Sequence, residues 1–124
     1  MTNKTFGEIS FDTGWKTKTN INLFGVMYNI IVKAKAYSKE DGITPEQESS
    51  FSSFCDTKTE KLIVIENMIK DYSADYEERF KPRVLLFERN GGYALLFDDI
   101  KYPDDGIAVC LAPKLKVLSQ DDYL

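Results

Sequence analysis

The sequence predicts an α+β fold: a mostly antiparallel β-sheet of about seven strands, with two helices inserted between strands 3 and 4 and packed on one face. Three observations predict it. Apolar and polar residues alternate with period two over residues 6–36, apolar residues recur at helical spacing over residues 44–76, and short apolar runs separated by turn residues follow Pro82. A chain of 124 residues is near the common size for one compact core, so residues 1–124 are predicted to form a single domain.

The N-terminal third predicts a meander of three strands. Residues 6–11 alternate with period two, and Asp12-Thr13-Gly14 has the composition of a hairpin turn. Residues 15–23 place apolar and threonine side chains on one face and lysines and asparagines on the other, which is typical of a half-buried strand. Gly25 interrupts the alternation, and residues 26–36 resume it as a third strand.

The first helix is predicted from its N-terminal signals. Thr44 is a good N-cap, Pro45 suits the first helical position, and Gln47 completes a capping box. This helix is expected to carry Phe51 and Phe54 inward and to end near residue 55.

A second helix is predicted to begin near Asp56 or Thr57, with Glu60 completing a capping box for Thr57. Residues 62–65 taken alone would also suit a strand, but the longer periodic context favours a helix. The apolar residues at helical spacing are Leu62, Ile65, Ile69, Tyr72 and Tyr76, joined by Ile63 and Met68.

Four strands are predicted in the last part of the chain. Residues 84–87 and 93–97 flank Asn90-Gly91, which is a strong signal for a short hairpin. Residues 107–111 and 115–118 are apolar runs of strand length that complete the set.

The composition excludes several classes of protein. No apolar stretch approaches the length of a membrane span and the N-terminus lacks an apolar signal region, so a cytoplasmic protein is expected. Cys55 and Cys110 lie far apart among apolar neighbours, which favours two buried free thiols over a disulfide or a reactive thiol.

The absence of histidine removes the usual general base and the commonest transition-metal ligand. Ser-His-Asp and Cys-His mechanisms are therefore excluded, and two isolated cysteines cannot fill a zinc site. Gly91-Gly92 lacks the spacing of a phosphate-binding loop. No residue set specifies a reaction, so the chain is predicted to be no enzyme and to hold no cofactor.

Charge is unevenly distributed along the chain. Residues 1–39 contain six lysines and two carboxylates, whereas residues 40–124 contain ten basic and eighteen acidic side chains. The acidic balance argues against nucleic acid as a partner and suits a basic partner, or simply solubility. Lysines at 16, 18, 33 and 35 could form a basic stripe for an anionic partner, or a solvated face that guards a sheet edge.

Acidic residues are concentrated in the turns of the last third of the chain. An oxygen-rich loop is what calcium and magnesium prefer, but here the acids come as adjacent pairs separated by Pro103, and adjacent residues of an extended turn point apart. Paired carboxylates for glycoside hydrolysis would also need a cleft that the sequence does not indicate. A solvated turn is therefore expected, with no metal. The acidic residues are Asp98, Asp99, Asp104, Asp105, Asp121 and Asp122.

The same segments resemble a small bacterial domain family of unknown function. The resemblance is carried by residues 92–99, 105–109, Pro113 and 120–124, with weaker likeness at residues 6–15 and 43–48. Members of that family look like immunity proteins of polymorphic toxin systems, including contact-dependent growth inhibition. The resemblance implies a protein that binds a cognate toxin domain in the cytoplasm and blocks it, without catalytic residues.

The acidic charge is compatible with a basic toxin, such as a nuclease, met by charge-steered association. A general protein-interaction module or a small-molecule-binding module remains the alternative. The sequence leaves the toxin's activity and the oligomeric state open. The predicted partner-binding residues are the acidic residues with two aromatic anchors: Asp98, Asp99, Tyr102, Asp104, Asp105, Asp121, Asp122 and Tyr123.

Overall fold

Residues 2–124 are described by a computed structural model, and they form an α+β fold built on a seven-stranded sheet that is mostly antiparallel. The predicted fold class is confirmed at this level. The strands are β1 (Thr2–Asn3), β2 (Gly7–Glu8), β3 (Ser10–Phe11), β4 (Trp15–Leu23), β5 (Val26–Ala34), β6 (Phe80–Phe87), β7 (Tyr93–Asp99), β8 (Ile107–Ala112) and β9 (Lys116–Ser119). The helices are α1 (Pro45–Asp56), α2 (Lys58–Tyr72), α3 (Tyr76–Arg79) and α4 (Gln120–Tyr123), and Lys39–Asp41 form a 3-10 turn.

The strands of the large sheet follow the chain in the order β3-β4-β5-β6-β7-β8-β9. Every neighbouring pair is antiparallel except β5 and β6, which run parallel. A parallel pair needs a long crossover, and the chain supplies it through α1, α2 and α3. None of the helices in the described part of the chain is long and apolar enough to cross a membrane.

The first predicted strand is wrong as a continuous element, because residues 6–11 divide between two sheets. The Asn3 side-chain oxygen accepts hydrogen bonds from the amides of Thr5 (2.8 Å) and Phe6 (2.9 Å), which closes a tight turn. Gly7 then adopts a φ of 77°, open to glycine and rarely to other residues. As a result β2 pairs with β1, and only β3 joins β4 in the large sheet.

Helix α1 begins as predicted. The Gln47 amide donates to the Thr44 hydroxyl at 3.1 Å, and the Thr44 amide donates to Gln47 Oε1 at 2.9 Å, so the capping box is formed. Gln47 is also fully buried, and its Nε2 donates to the carbonyls of Lys35 (3.0 Å) and Phe87 (3.2 Å). One side chain therefore caps the helix and ties it to the ends of β5 and β6.

Helix α2 begins after Thr57, as predicted, but its capping and its end differ from the prediction. The predicted capping box at Thr57 is absent, because the Thr57 hydroxyl donates instead to the carbonyl of Ser53, one turn back in α1. The helix ends at Tyr72 rather than continuing to Tyr76, because Ser73 has extended backbone angles (φ −155°, ψ 135°). Tyr76 begins α3 instead.

Two apolar clusters lie on opposite faces of the sheet. The larger one contains inward residues of the strands together with Phe51, Phe54, Ile65 and Ile69 from α1 and α2. The smaller one lies on the alternate positions of β6, β7 and β8, and it contains Leu86, Ala94, Leu96, Ala108 and Cys110.

The two cysteines differ in environment. Both thiols are free, as the sequence predicts, and Cys110 is buried. Cys55 is exposed, and its predicted burial is wrong. Its neighbour Phe54 is the residue of this turn of α1 that faces the core, at 2% exposure, so the next position along the helix turns toward solvent.

Candidate functional site

The structure joins the start of the C-terminal helix to the turn after β7. The amide of Gln120 donates to the carbonyl of Gly106 at 2.9 Å, and its side-chain Nε2 donates to the carbonyl of Phe97 at 2.7 Å. Gly106 leaves no room for a side chain, because a Cβ there would collide with the Phe97 carbonyl oxygen and the side-chain amide of Gln120. We call residues 100–106 and 120–124 the acidic end.

Asp98 and Asp99 are adjacent on β7, so their side chains point to opposite faces of the sheet. Asp99 is 2% exposed and forms a bidentate pair with Arg79, at 2.8 Å to Nε and 2.9 Å to Nη2. Asp98 is exposed, and its only ion pair within residues 2–124 is with Arg83, at 3.4 Å.

The Asp99 carboxylate has a structural role. It also accepts a hydrogen bond from the amide of Lys101 at 3.0 Å, which fixes the start of the turn. Burial by itself raises the pKa of the Asp99 carboxyl, but the hydrogen bonds and the charge of Arg79 outweigh it and hold that pKa below its ordinary value. Asp99 is therefore ionised, fully paired and out of reach of a partner.

Tyr102 is positioned by the same arginine. The Arg79 guanidinium carbon lies 5.3 Å from the centre of the Tyr102 ring, which is within the range of a cation–π contact. The ring is nevertheless 53% exposed. A small cavity of about 210 Å³ lies beside it, lined by residues that include Arg79, Asp99 and Asp105.

The remaining four predicted acids are exposed: Asp104, Asp105, Asp121 and Asp122. None of them forms an ion pair with another residue of the 2–124 segment. They share the acidic end with exposed apolar side chains that the sequence reasoning missed, namely Ile100 (62% exposed) and Leu124 (67% exposed). The available signal was an apolar residue after each of two Asp-Asp pairs: Ile100 directly follows Asp98-Asp99, and Leu124 lies two positions after Asp121-Asp122.

Tyr123 is half-buried and anchors α4. Its ring packs against the smaller apolar cluster, and its hydroxyl donates to Glu88 Oε2 at 3.4 Å. Burial, reinforced by the Glu88 carboxylate, raises the pKa of the Tyr123 hydroxyl above its ordinary value. Tyr123 thus holds Asp121 and Asp122 in place and offers less of its own ring to a partner than Tyr102 does.

The acidic end presents carboxylates and apolar side chains to solvent. Among the residues that the structure describes, no group of three or more acidic or cysteine side chains is placed to hold a metal ion. Unpaired carboxylates beside exposed apolar side chains combine long-range attraction for a cationic surface with contacts that exclude water.

Comparisons with protein-family models, with curated proteins and with solved structures find no match to the chain.

Proposed function

We propose that this chain is a non-enzymatic immunity-type protein that binds a cognate toxin domain in the cytoplasm and blocks it. The acidic end is the proposed contact surface, and a basic toxin domain, such as a nuclease, is the proposed partner. The observation that carries the proposal is a set of four carboxylates without ion pairs, together with exposed Ile100, Tyr102 and Leu124, on two segments that are joined by the Gln120–Gly106 hydrogen bond. The resemblance of the C-terminal third to immunity-type proteins supports the same conclusion.

Each kind of side chain has a separate part in this proposal. The exposed carboxylates attract a cationic surface over a distance and raise the rate of association. The exposed apolar side chains supply contact area that carries most of the affinity once the surfaces meet. Asp99 and Tyr123 act indirectly, because they hold the turn and α4 in place.

Co-expression tests the function. The chain is produced in bacteria together with the toxin domain encoded by the open reading frame immediately upstream of its own gene, and growth is scored. We expect the wild-type chain to restore growth. Failure of the wild-type chain to restore growth, with both proteins present in the cell, would contradict the immunity proposal and leave a binding module with another partner.

Charge reversal tests the surface. Asp104→Lys together with Asp105→Lys is expected to slow association with a basic toxin domain at least about tenfold at low salt, because steering depends on these charges. The matched control is Glu40→Lys with Glu60→Lys, which makes the same change of net charge at exposed sites outside the acidic end. Equal effects of the two double variants would show that net charge matters and the acidic end does not.

A further inference from the structure

A second charged surface lies on the face of the sheet opposite the larger apolar cluster. Lys16 on β4 is the direct cross-strand partner of Lys33 on β5, and Lys35 follows two positions later on the same face. Like charges placed directly opposite each other destabilise a sheet. Guarding of a sheet edge explains none of these lysines, because β4 pairs with β3 at Lys16 and β5 lies between β4 and β6.

A groove of about 450 Å³ lies beside Lys33, and we call it the Lys33 groove. Three cationic side chains and one carboxylate line it, so it is positively charged on a chain whose net charge is −4. Lys35 pairs with Glu88 at 2.9 Å, which leaves two charges uncompensated. The lining residues are Thr13, Lys33, Lys35, Ala36, Tyr37, Glu88, Arg89 and Asn90.

Arg89 supplies one of the uncompensated charges. Its guanidinium donates to the backbone carbonyls of Lys35 (3.0 Å), Gly42 (2.6 Å) and Asp41 (3.0 Å), and it forms no ion pair with any side chain in the described part of the chain. These bonds hold the group in place and leave its positive charge to act on the groove.

Lys33 is the other cationic side chain of the lining, and it forms no ion pair with a residue of the described segment 2–124. Its aliphatic stem passes over Gly14, where an added Cβ would lie 2.8 Å from Lys33 Cε, and its Nζ lies 3.4 Å from the Thr13 hydroxyl oxygen. Burial, together with the charges of Lys16 and Lys35, lowers the pKa of the Lys33 ammonium, and the charge of Asp12 opposes this in part. A bound anion would remove this electrostatic penalty.

Further polar groups lie around the groove. A neighbouring depression of about 220 Å³ shares Lys33 and also contains Lys16 and Arg83, which pair with Asp12 (3.5 Å) and Asp98 (3.4 Å) respectively. At the other side, Tyr37 is 98% exposed, and Asn90 uses its Oδ1 to accept from the Gly92 amide, so its NH₂ group is available as a donor.

We propose that the Lys33 groove binds a small molecule that carries a phosphate or carboxylate group. Lys33 Nζ and the Asn90 side-chain amide hold the anionic group, and the Tyr37 ring offers a face to an aromatic or apolar part of the ligand. The volume of the groove is within the range of small-molecule sites. The proposal does not depend on the proposed toxin, although Glu88, which lines the groove, accepts a hydrogen bond from the Tyr123 hydroxyl of the acidic end.

Titrations followed by two-dimensional NMR test the proposal. The protein is titrated with inorganic phosphate, adenosine monophosphate and benzoate at constant ionic strength. We expect saturable shifts at the amides of Thr13, Lys33, Tyr37 and Asn90 with at least one of the three probes. If phosphate alone binds, the groove recognises the anionic group only. If adenosine monophosphate or benzoate binds more tightly than phosphate, the Tyr37 ring also contacts the ligand.

Lys33→Met is the informative variant, because it keeps the aliphatic stem and removes the charge. We expect it to weaken binding at least about tenfold, which is the loss of one charge-assisted contact. Lys61→Met, on α2, is the matched control and should bind as the wild type does. In the wild-type protein the Lys33 ammonium pKa should also rise at saturation, which is a readout independent of any variant.

Three outcomes would overturn the proposal. They are shifts that grow linearly without saturation for every probe, equal binding by Lys33→Met and the wild type, and binding of an aspartate-rich peptide without binding of any small anion. The last outcome would make this face a docking surface for an acidic protein.

Discussion

The acidic end and the Lys33 groove carry opposite charges, and they are built on opposite kinds of backbone. The exposed carboxylates of the acidic end lie on a turn and a helix of one turn, where each can move apart from its neighbours into water. The lysines lie on paired strands, where the register places Lys16 and Lys33 directly opposite each other. Residues so placed have Cα atoms about 5 Å apart. Like charges therefore cost little in the first region and more in the second.

This difference changes what can be inferred from each cluster of charges. A group of acids on a turn is compatible with solubility alone, and its neighbours Ile100, Tyr102 and Leu124 are what point to an interface. A like-charge pair fixed by strand register is unfavourable in the free protein, and the Asp12 carboxylate, 3.5 Å from Lys16 Nζ, offsets the repulsion only in part. An anionic ligand would compensate the repulsion between the lysines, which gives the arrangement a functional explanation.

The largest expected effect concerns Asp99, whose carboxylate fixes the start of the acidic-end turn by accepting from the Lys101 amide. Asp99→Asn leaves Arg79, whose side chain is 15% exposed, without its bidentate partner. We expect a loss of about 3 kcal/mol in the free energy of unfolding at pH 7, measured with urea. Asp98→Asn, at the adjacent exposed position, is the matched control and should change the stability by less than about 0.5 kcal/mol.

The stability difference between the wild type and Asp99→Asn is expected to depend on pH. The Asp99 pKa is lowered in the folded state, so its contribution is present above the ordinary carboxyl pKa of about 4 and is lost as the pH falls through the lower folded value. The wild type and Asp99→Asn should therefore approach each other in stability in acid. A difference that stays constant from pH 7 to acid would contradict the ion-pair explanation.

An intermediate effect is expected where the two segments of the acidic end meet. Gln120→Ala removes the donor that satisfies the Phe97 carbonyl, so we expect a loss of about 1 kcal/mol and faster amide exchange in α4. Asp121→Ala, one position later and exposed, should change neither quantity. Unchanged exchange in Gln120→Ala would mean that Tyr123 alone holds α4 in place.

The smallest effect has the opposite sign and belongs to the Lys33 groove. Lys33→Met removes the cross-strand repulsion with Lys16, so we expect a gain of about 0.5 kcal/mol at low salt that shrinks as salt is added. Lys18 lies opposite Ile31 of β5, so Lys18→Met is the matched control and should not increase the free energy of unfolding. A loss of stability in Lys33→Met that is independent of salt would show that the ammonium supports the fold.

Local chemistry explains which predictions were confirmed. The capping box of Thr44 and Gln47, and the Asn90-Gly91 hairpin between β6 and β7, depend on residues within a few positions of each other. The broken N-terminal strand and the early end of α2 were missed because the Asn3 side chain closes a turn and Ser73 adopts extended backbone angles at points where the apolar pattern continues. The partner-binding role of the acidic residues stays a prediction.

The sequence by itself determined the α+β class, the alternation that divides each strand into two faces, and the concentration of acids in the last turns, because these follow from periodicity and composition. Only the tertiary structure decided that β5 and β6 pair in parallel, that Asp99 is buried against Arg79 while Asp98 is exposed, and that Lys33 lies beside Lys16 and a groove. Each of these depends on strand register or on residues far apart in the chain. The free energy of such contacts comes from the whole packed molecule, and no local pattern encodes it.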